Sequence, residues 1–304
     1  MSGRHLMNRL AAGAVIICAI SFAPEACFAQ QVYASPELAM KDLIDSAKAG
    51  TPGFGERLFG KSGVSLLRSG NASEDSEHLA EFNAAAAEQA SLDTVDDNAR
   101  KVRVGKVGWV FPVPIVKTAD GWRFDPETGR EEILDRVVGY NELSAIAACK
   151  AYVKAQDEYF RIDRDNNDLR EYAQRIVSRP GKRDGLYWEP RDQADISPLG
   201  EMGASGATRA AKERLPVYNG YRFRILTEQG PAAPGGAHPY LVNGHMISGH
   251  ALVAWPDVWG KSGVLTFICG ENGKVFQKNL GSMTGKIARR MKAYDPDKSW
   301  TLID

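Results

Sequence analysis

The chain has 304 residues, of which 43% are hydrophobic and 25% are charged, and this length allows two folded domains. Its 38 lysines and arginines balance 38 aspartates and glutamates, so the formal net charge is zero. A chain without net charge offers no attractive field to nucleic acid or to anionic lipid, which excludes these as expected partners.

The first 29 residues have the pattern of a secretory signal peptide. Arg4 and Arg9 precede the apolar run "LAAGAVIICAISFA", and small residues then lead to Ala29. This order predicts cleavage after Ala29 and a mature protein in the periplasm or outside the cell. The apolar run is short for a membrane span and no second run follows, so we expect no transmembrane segment after cleavage.

Cysteine usage fits an exported protein in two ways. Cleavage would remove Cys18 and Cys27 and leave Cys149 and Cys269, which either pair as a disulfide or lie buried as thiols in their apolar segments. Cys27 also allows a lipoprotein anchor, although Glu25 does not suit such a signal.

Residues 30–126 are predicted to form the first domain, with helices preceding a sheet. Ser35 is a suitable helix cap, Pro36 suits the first helical position, and Gly50 is expected to end the helix. A second helix is predicted near 76–90.

From residue 102 the apolar side chains alternate with a period of two, which predicts strands. Pro112 and Pro114 indicate an edge strand or a bulge, and Asp120-Gly121 predicts a hairpin turn. Helices followed by an antiparallel sheet that ends in "DGWRFD" resemble the nuclear-transport-factor-2-like (cystatin-like) cone. That resemblance implies a concave pocket.

The segment "GERLFGKS" (55–62) matches the phosphate-loop pattern G-x-x-x-x-G-K-[ST]. A phosphate loop requires a buried strand before it and a helix after it, whereas an amphipathic helix is predicted to precede this segment. We therefore interpret the match as accidental.

Residues 127–140 are predicted to form a connecting helix that Gly139 ends, and Asn141 is predicted to cap a second, longer helix. Residues 141–304 then contain β segments and a last helix, which predicts an α+β domain. The predicted strands span 221–227, 246–256, 263–269 and 273–281, and the last helix 284–293. This order resembles the soluble part of type IV pilins, but without their long apolar N-terminal helix the chain cannot polymerise as they do.

Several longer stretches carry a more specific resemblance. "FPVPIVKTADGWRFDPETGREEIL", "NELSAIAACKAYVKAQDEY", "GYRFRILTEQG" and "DPDKSW" resemble the bacterial domain of unknown function 2950 family over nearly the whole mature chain. The resemblance implies an exported envelope protein without an established activity.

The stretch "FRIDRDNNDLREYAQ" (160–174) raises the question of a calcium site. Its candidate ligands are Asp163, Asp165, Asn167 and Glu171. A calcium loop starting at 163 requires glycine at its sixth position and a bidentate glutamate at its twelfth, but these are Asp168 and Gln174. We therefore favour a hydrogen-bonded polar turn over a weak calcium site, whose dissociation constant would be on the order of 10⁻⁴–10⁻³ M. No other cofactor is expected.

Two aromatic-rich segments, "DGLYWEP" and "AWPDVWG", are candidates for a peptide or glycan platform. Their flat side chains are Tyr187, Trp188, Trp255 and Trp259, and packing beneath loops is the alternative. His238, His245 and His250 also cluster in the sequence, for which we favour packing or surface roles over a transition-metal site because no cysteine joins them at zinc spacing.

These patterns favour an exported envelope module that binds or scaffolds without catalysis, with an unknown envelope protein or polymer as partner. An envelope hydrolase and an accessory component of a secretion or pilus-type assembly are the alternatives. No nucleophile motif supports the hydrolase.

We predict that the mature protein starts at or near Gln30 and is recovered outside the cytoplasm, because the first 29 residues read as a cleaved signal. N-terminal sequencing of the soluble protein checks this. Soluble protein that retains Met1 would contradict it.

Overall fold

The computed structural model describes residues 30–68, 71–164, 167–192, 195–200 and 217–303. The predicted signal peptide lies outside these residues. The chain splits into two compact units, one up to Gly129 and one from Arg130 onward. Helices and antiparallel sheets occur in both, which confirms the α+β class. Among the described residues, no helix combines the length and apolar character needed to cross a membrane.

The first unit contains three helices followed by an antiparallel sheet. The helices are α1 (Pro36–Ala49), α2 (Phe54–Gly63) and α3 (Ala72–Glu88). The strands are β1 (Ala90–Asp96), β2 (Ala99–Val104), β3 (Trp109–Val110), β4 (Ile115–Thr118) and β5 (Gly121–Phe124). The strand order is β1-β2-β4-β5, with β3 paired to β2.

Local signals position α1 as predicted. The Ser35 hydroxyl accepts a hydrogen bond from the Leu38 amide at 3.4 Å, Pro36 takes the first turn, and Gly50 ends the helix with φ +59°. The phosphate-loop match at 55–62 lies within α2, which follows another helix rather than a strand. This segment therefore lacks the strand–loop–helix context of a nucleotide site.

The β4–β5 hairpin forms one residue earlier than predicted. Thr118 pairs with Gly121, so Ala119 and Asp120 make the turn and Gly121 starts the strand. Gly121 has φ +135°, and a Cβ there would lie 2.6 Å from the carbonyl oxygen of Tyr33. Glycine is therefore required for the close approach of the chain at Tyr33.

Aromatic side chains fill the core of the first unit. The ring centroid of Phe59 lies 5.1 Å from that of Phe124 and 6.0 Å from that of Phe111. Leu43 of α1 and Ile115 of β4 are buried against this group. The helices and the sheet of this unit thus share one apolar core.

A polar network ties α1 to α2 in the same unit. The Asp42 carboxylate pairs with the Arg57 guanidinium and accepts hydrogen bonds from Tyr33 Oη at 2.6 Å and Ser46 Oγ at 2.9 Å. The Arg57 hydrogen bonds hold the pKa of Asp42 well below its usual range.

The second unit combines one long helix with short strands. Among its described residues the helices are α4 (Pro126–Phe160), whose first turn belongs to the first unit, and α5 (Thr284–Arg290). The strands are β6 (Val217–Tyr218), β7 (Tyr221–Leu226), β8 (Glu228–Gln229), β9 (His238–Pro239), β10 (Leu241–Val242), β11 (His245–Met246), β12 (Ala251–Pro256), β13 (Thr266–Gly270), β14 (Val275–Lys278), β15 (Ala293–Tyr294) and β16 (Thr301–Ile303). The main sheet has the order β16-β14-β13-β12-β7-β6 and is antiparallel, and two small sheets pair β10 with β11 and β15-β8-β9.

The predicted break between a connecting helix and a longer helix is wrong, because α4 runs without interruption through both Gly139 and Asn141. Instead of capping a helix, Asn141 donates a hydrogen bond from Nδ2 to the carbonyl oxygen of Ser262 at 3.0 Å. The side chain of Asn141 therefore makes a long-range tertiary contact, although the local sequence pattern predicted that it would cap a helix.

The central strands β12 and β13 are buried at every residue. Helix α4 covers them, and Tyr152 Oη donates to the carbonyl oxygen of Ala251 at 3.1 Å. Cys149 of α4 and Cys269 of β13 are free and buried thiols that contact each other, and burial raises the pKa of Cys269. The structure therefore contains the buried thiols rather than the disulfide.

We predict that Asp42→Asn lowers the free energy of unfolding by about 1–3 kcal/mol at pH 7, because it removes a partner of half-buried Arg57. The folded pKa of Asp42 is depressed, so its contribution is present above the unfolded pKa of about 3.9 and is lost as the pH falls below it. Urea denaturation at pH 7 and pH 2.5 should give a smaller difference between wild type and variant at the lower pH.

The matched control is Asp45→Asn, which breaks an exposed pair with Lys41 and should change the free energy of unfolding much less. Equal effects of the two substitutions would contradict a structural role for the Asp42 network.

Candidate functional site

Two segments of the second unit that the sequence treats separately meet beyond the end of α4. The Tyr172 amide donates to the carbonyl oxygen of Met246, and Gln174 Nε2 donates to that of Gly244, both at 2.8 Å. Glu171 Oε2 lies 3.2 Å from His245 Nδ1. The candidate calcium segment and the histidine-containing segment therefore lie side by side.

The candidate calcium ligands that the structure describes accept hydrogen bonds from backbone amides or contact a histidine. The Asp163 carboxylate accepts from the amides of Asn167 at 3.4 Å and Asp168 at 2.9 Å, and Asn167 Oδ1 accepts from the Leu169 amide at 2.9 Å. Asp168, at the position where glycine is expected, has φ +62°. These bonds are those of a polar turn.

Of the other two calcium candidates, Glu171 faces His245 and Asp165 lies outside the described residues. Groups of three or more histidine, cysteine or acidic side chains arranged for a metal are absent from the part of the chain that the structure describes. The weak calcium site stays a prediction.

Four rings form what we call the histidine stack, which consists of Phe160, Tyr172, His250 and Tyr152. The centroids of Phe160 and Tyr172 are 4.5 Å apart, and those of Tyr172 and His250 are 4.6 Å apart. Tyr152 also contacts His250, in an edge-on geometry with the two ring centroids 5.3 Å apart. The stack lies between α4, the 167–176 segment and the start of β12.

His250 is fully buried, yet neither ring nitrogen has a hydrogen-bond partner. Burial lowers the pKa of His250 to about 4, so the ring is neutral at pH 7. A neutral imidazole carries one donor and one acceptor, and leaving each buried and unpaired costs about 1–3 kcal/mol. The ring therefore has two buried nitrogens that no described protein group satisfies.

A second group, which we call the arginine cluster, consists of Tyr159, Arg164, Arg183 and Trp188. The guanidinium carbon of Arg164 lies 4.7 Å from the ring centroid of Tyr159 and 5.0 Å from that of Trp188, and the guanidinium carbon of Arg183 lies 5.7 Å from the latter. Asp195 accepts a hydrogen bond from Trp188 Nε1 at 2.9 Å and pairs with Arg183 at 2.7 Å. Because Tyr159 and Phe160 are consecutive residues, the two groups lie at the same end of α4.

The predicted aromatic platform is divided between different surroundings. Trp255 is 1% exposed within β12, and Trp188 is 7% exposed within the arginine cluster. Tyr187 is half-buried, and Trp259 is 38% exposed with its Nε1 donating to Asn279 Oδ1 at 3.1 Å. Trp188 and Trp255 are therefore packed in the interior, which was the alternative to a ligand platform.

The sequence did not single out Gln156, Arg164 or Arg183. Arg183 and Tyr159 are 24 residues apart, and Tyr159 Oη donates to the Arg183 carbonyl oxygen at 2.9 Å. Local periodicity carries no information about a contact of this length. The only signal was the position of Arg164 inside the polar stretch that follows α4.

We predict that the stability of the protein falls by up to about 3 kcal/mol between pH 6.5 and pH 4, because His250 takes up a proton near 6.5 when unfolded and only near 4 when folded. His250→Phe should remove this part of the pH dependence. Urea denaturation from pH 7 to pH 4 measures it.

The control is His78→Gln, since His78 is exposed on α3 and its loss should leave the wild-type pH dependence unchanged. The pair of His245 and Glu171 is present in all three proteins, so it does not distinguish them. Equal slopes for wild type and His250→Phe would show that His250 is not the group responsible.

Comparison with known proteins gives a single match. No curated protein and no solved structure matches the chain significantly. The model of a family described as a protein of unknown function, DUF2950, matches residues 30–303. This match covers nearly the whole chain and confirms the resemblance carried by the longer sequence stretches, so the chain belongs to the DUF2950 family.

Proposed function

We propose that this protein is an exported, non-catalytic binding module of the bacterial envelope, and that its second unit holds a ligand at the C-terminal end of α4. The proposal of export comes from the signal-peptide pattern before Gln30. The proposal of binding comes from unused hydrogen-bonding capacity beside aromatic rings, in His250 and Arg164.

Unpaired buried polar atoms are uncommon in folded proteins, and the described residues contain seven of them, on Asn83, Arg164, Arg224, His250, Thr266 and Tyr294. More than about 90% of buried polar groups have a partner, because an unpaired group loses its hydration without compensation. His250 has two unpaired ring nitrogens, and the buried Nε of Arg164 is also unpaired. Both groups are next to aromatic side chains, and aromatic walls with a few polar groups are typical of ligand sites.

The alternatives from the sequence have less support. An envelope hydrolase needs an activated nucleophile, whereas burial raises the pKa of the Cys269 thiol and keeps it protonated. A role in a secretion or pilus-type assembly depends on the pilin-like character of residues 141–304, which remains a proposal, as does the nuclear-transport-factor-2-like character of residues 30–126.

We predict that native mass spectrometry of the protein purified from its own periplasm detects a non-covalent mass in excess of the mature polypeptide. Denaturation should release that mass, because the ligand is held by the folded second unit. A calcium ion would add its own mass and would be removed by chelator without denaturation.

The double variant Arg164→Gln/His250→Phe should lose the organic excess mass, while Arg161→Gln, an exposed arginine after the same helix, should retain it. Native spectra that contain only the polypeptide mass, from protein that was never denatured, would contradict the proposed binding function.

A further inference from the structure

We propose that the arginine cluster binds a carboxylate group, and that Arg164 is the residue that recognises it. This inference rests on the proposed binding function and names the chemical class of the ligand. It starts from an asymmetry between the two arginines over Trp188, since only one of them has an acidic partner.

The faces of the Arg164 guanidinium are engaged, but its donors are not. Its carbon atom lies within 5.0 Å of the ring centroids of both Tyr159 and Trp188, which is cation–π geometry. Guanidinium N–H groups point outward in the plane of the group, away from such rings. Among the described residues none accepts a hydrogen bond from Arg164, and its Nε is buried.

The carboxylate nearest to the cluster is already fully used. Asp195 pairs with Arg183 at 2.7 Å and accepts hydrogen bonds from Trp188 Nε1 at 2.9 Å and from the Arg191 amide at 3.1 Å. Glu158 attracts Arg164 through the solvent but is exposed and forms no ion pair with it among the described contacts. Arg183 therefore has a bonded carboxylate, whereas Arg164 has none among the described residues.

A desolvated cation without a partner is unfavourable. Arg164 is half-buried, and burial lowers the pKa of its guanidinium because burial disfavours the charged form. An incoming carboxylate would supply two oxygen acceptors in one plane, matching the bidentate geometry of the guanidinium. It would also bring a single negative charge, which matches the single guanidinium of Arg164, whereas a phosphate brings about two.

The test uses the full mature chain and three probes: N-acetylglycine, its neutral amide N-acetylglycinamide, and inorganic phosphate, all at matched ionic strength. The readouts are the NMR signal of the Arg164 Nε–H group and the melting temperature. We expect N-acetylglycine to shift the signal saturably and to raise the melting temperature by about 3 °C near saturation. The amide and phosphate should do neither.

Arg164→Gln should abolish the thermal response while the unliganded variant stays folded, with its melting temperature lowered only by the loss of the two ring contacts. Arg164→Lys keeps the charge but not the planar fork, and should weaken binding at least about tenfold. Arg161→Gln should respond as wild type does.

Three results would overturn the inference: a folded wild type that does not respond to N-acetylglycine, a response that survives in Arg164→Gln, or phosphate as effective as the carboxylate. Arg164 has a packing role alone if Arg164→Gln melts lower than wild type and N-acetylglycine stabilises neither the wild type nor the variant. If a co-purified ligand remains bound in Arg164→Gln, the binding function stands and the carboxylate assignment fails. If no ligand co-purifies but the protein responds to N-acetylglycine, the carboxylate assignment stands and the proposed binding function fails.

Discussion

The arrangement at the end of α4 depends on one buried amide. Gln156 is inaccessible to solvent, its Nε2 donates to the carbonyl oxygen of Ala173 at 2.8 Å, and its Oε1 accepts from the Ala173 amide at 2.8 Å. The same Nε2 lies 3.1 Å from Tyr152 Oη, which in turn donates to Ala251. Because water cannot replace these bonds, the amide holds the 167–176 segment to the helix and the helix to the central strand.

The histidine stack is a consequence of this connection. Ala173 is next to Tyr172, and Ala251 is next to His250, so the two backbone groups held through Gln156 and Tyr152 bring the two rings within 4.6 Å. The backbone groups of Ala173 and the carbonyl oxygen of Ala251 have partners here, whereas the imidazole nitrogens are unpaired. The combination of a rigid frame and an unsatisfied polar group is what a preorganised site requires, at some cost in stability.

The arginine cluster is also held by hydrogen bonds, and it begins at Tyr159, the residue of α4 that precedes Phe160 of the histidine stack. Tyr159 Oη fixes the Arg183 backbone, Asp195 fixes the Arg183 side chain, and Trp188 is held by its own hydrogen bond to Asp195. Arg164 stacks on Tyr159 and Trp188 but donates to no acceptor among the described residues. One end of one helix thus positions both of the groups from which we infer binding.

The sequence by itself determined the elements whose signals are local. Ser35, Pro36 and Gly50 set the limits of α1 because a cap, a restrained φ and a left-handed φ each act within one turn. The alternating apolar residues after 102 likewise indicated strands, although β1 and β2 begin earlier, at Ala90 and Ala99, and the longer stretches identified the family. Only the tertiary structure decided that α4 passes through Asn141, whose amide reaches Ser262, and that Arg164 stacks on Trp188 while Asp195 is taken by Arg183. These outcomes depend on contacts between residues far apart in the chain, where the free energy of burial and hydrogen bonding exceeds the preferences of any short segment.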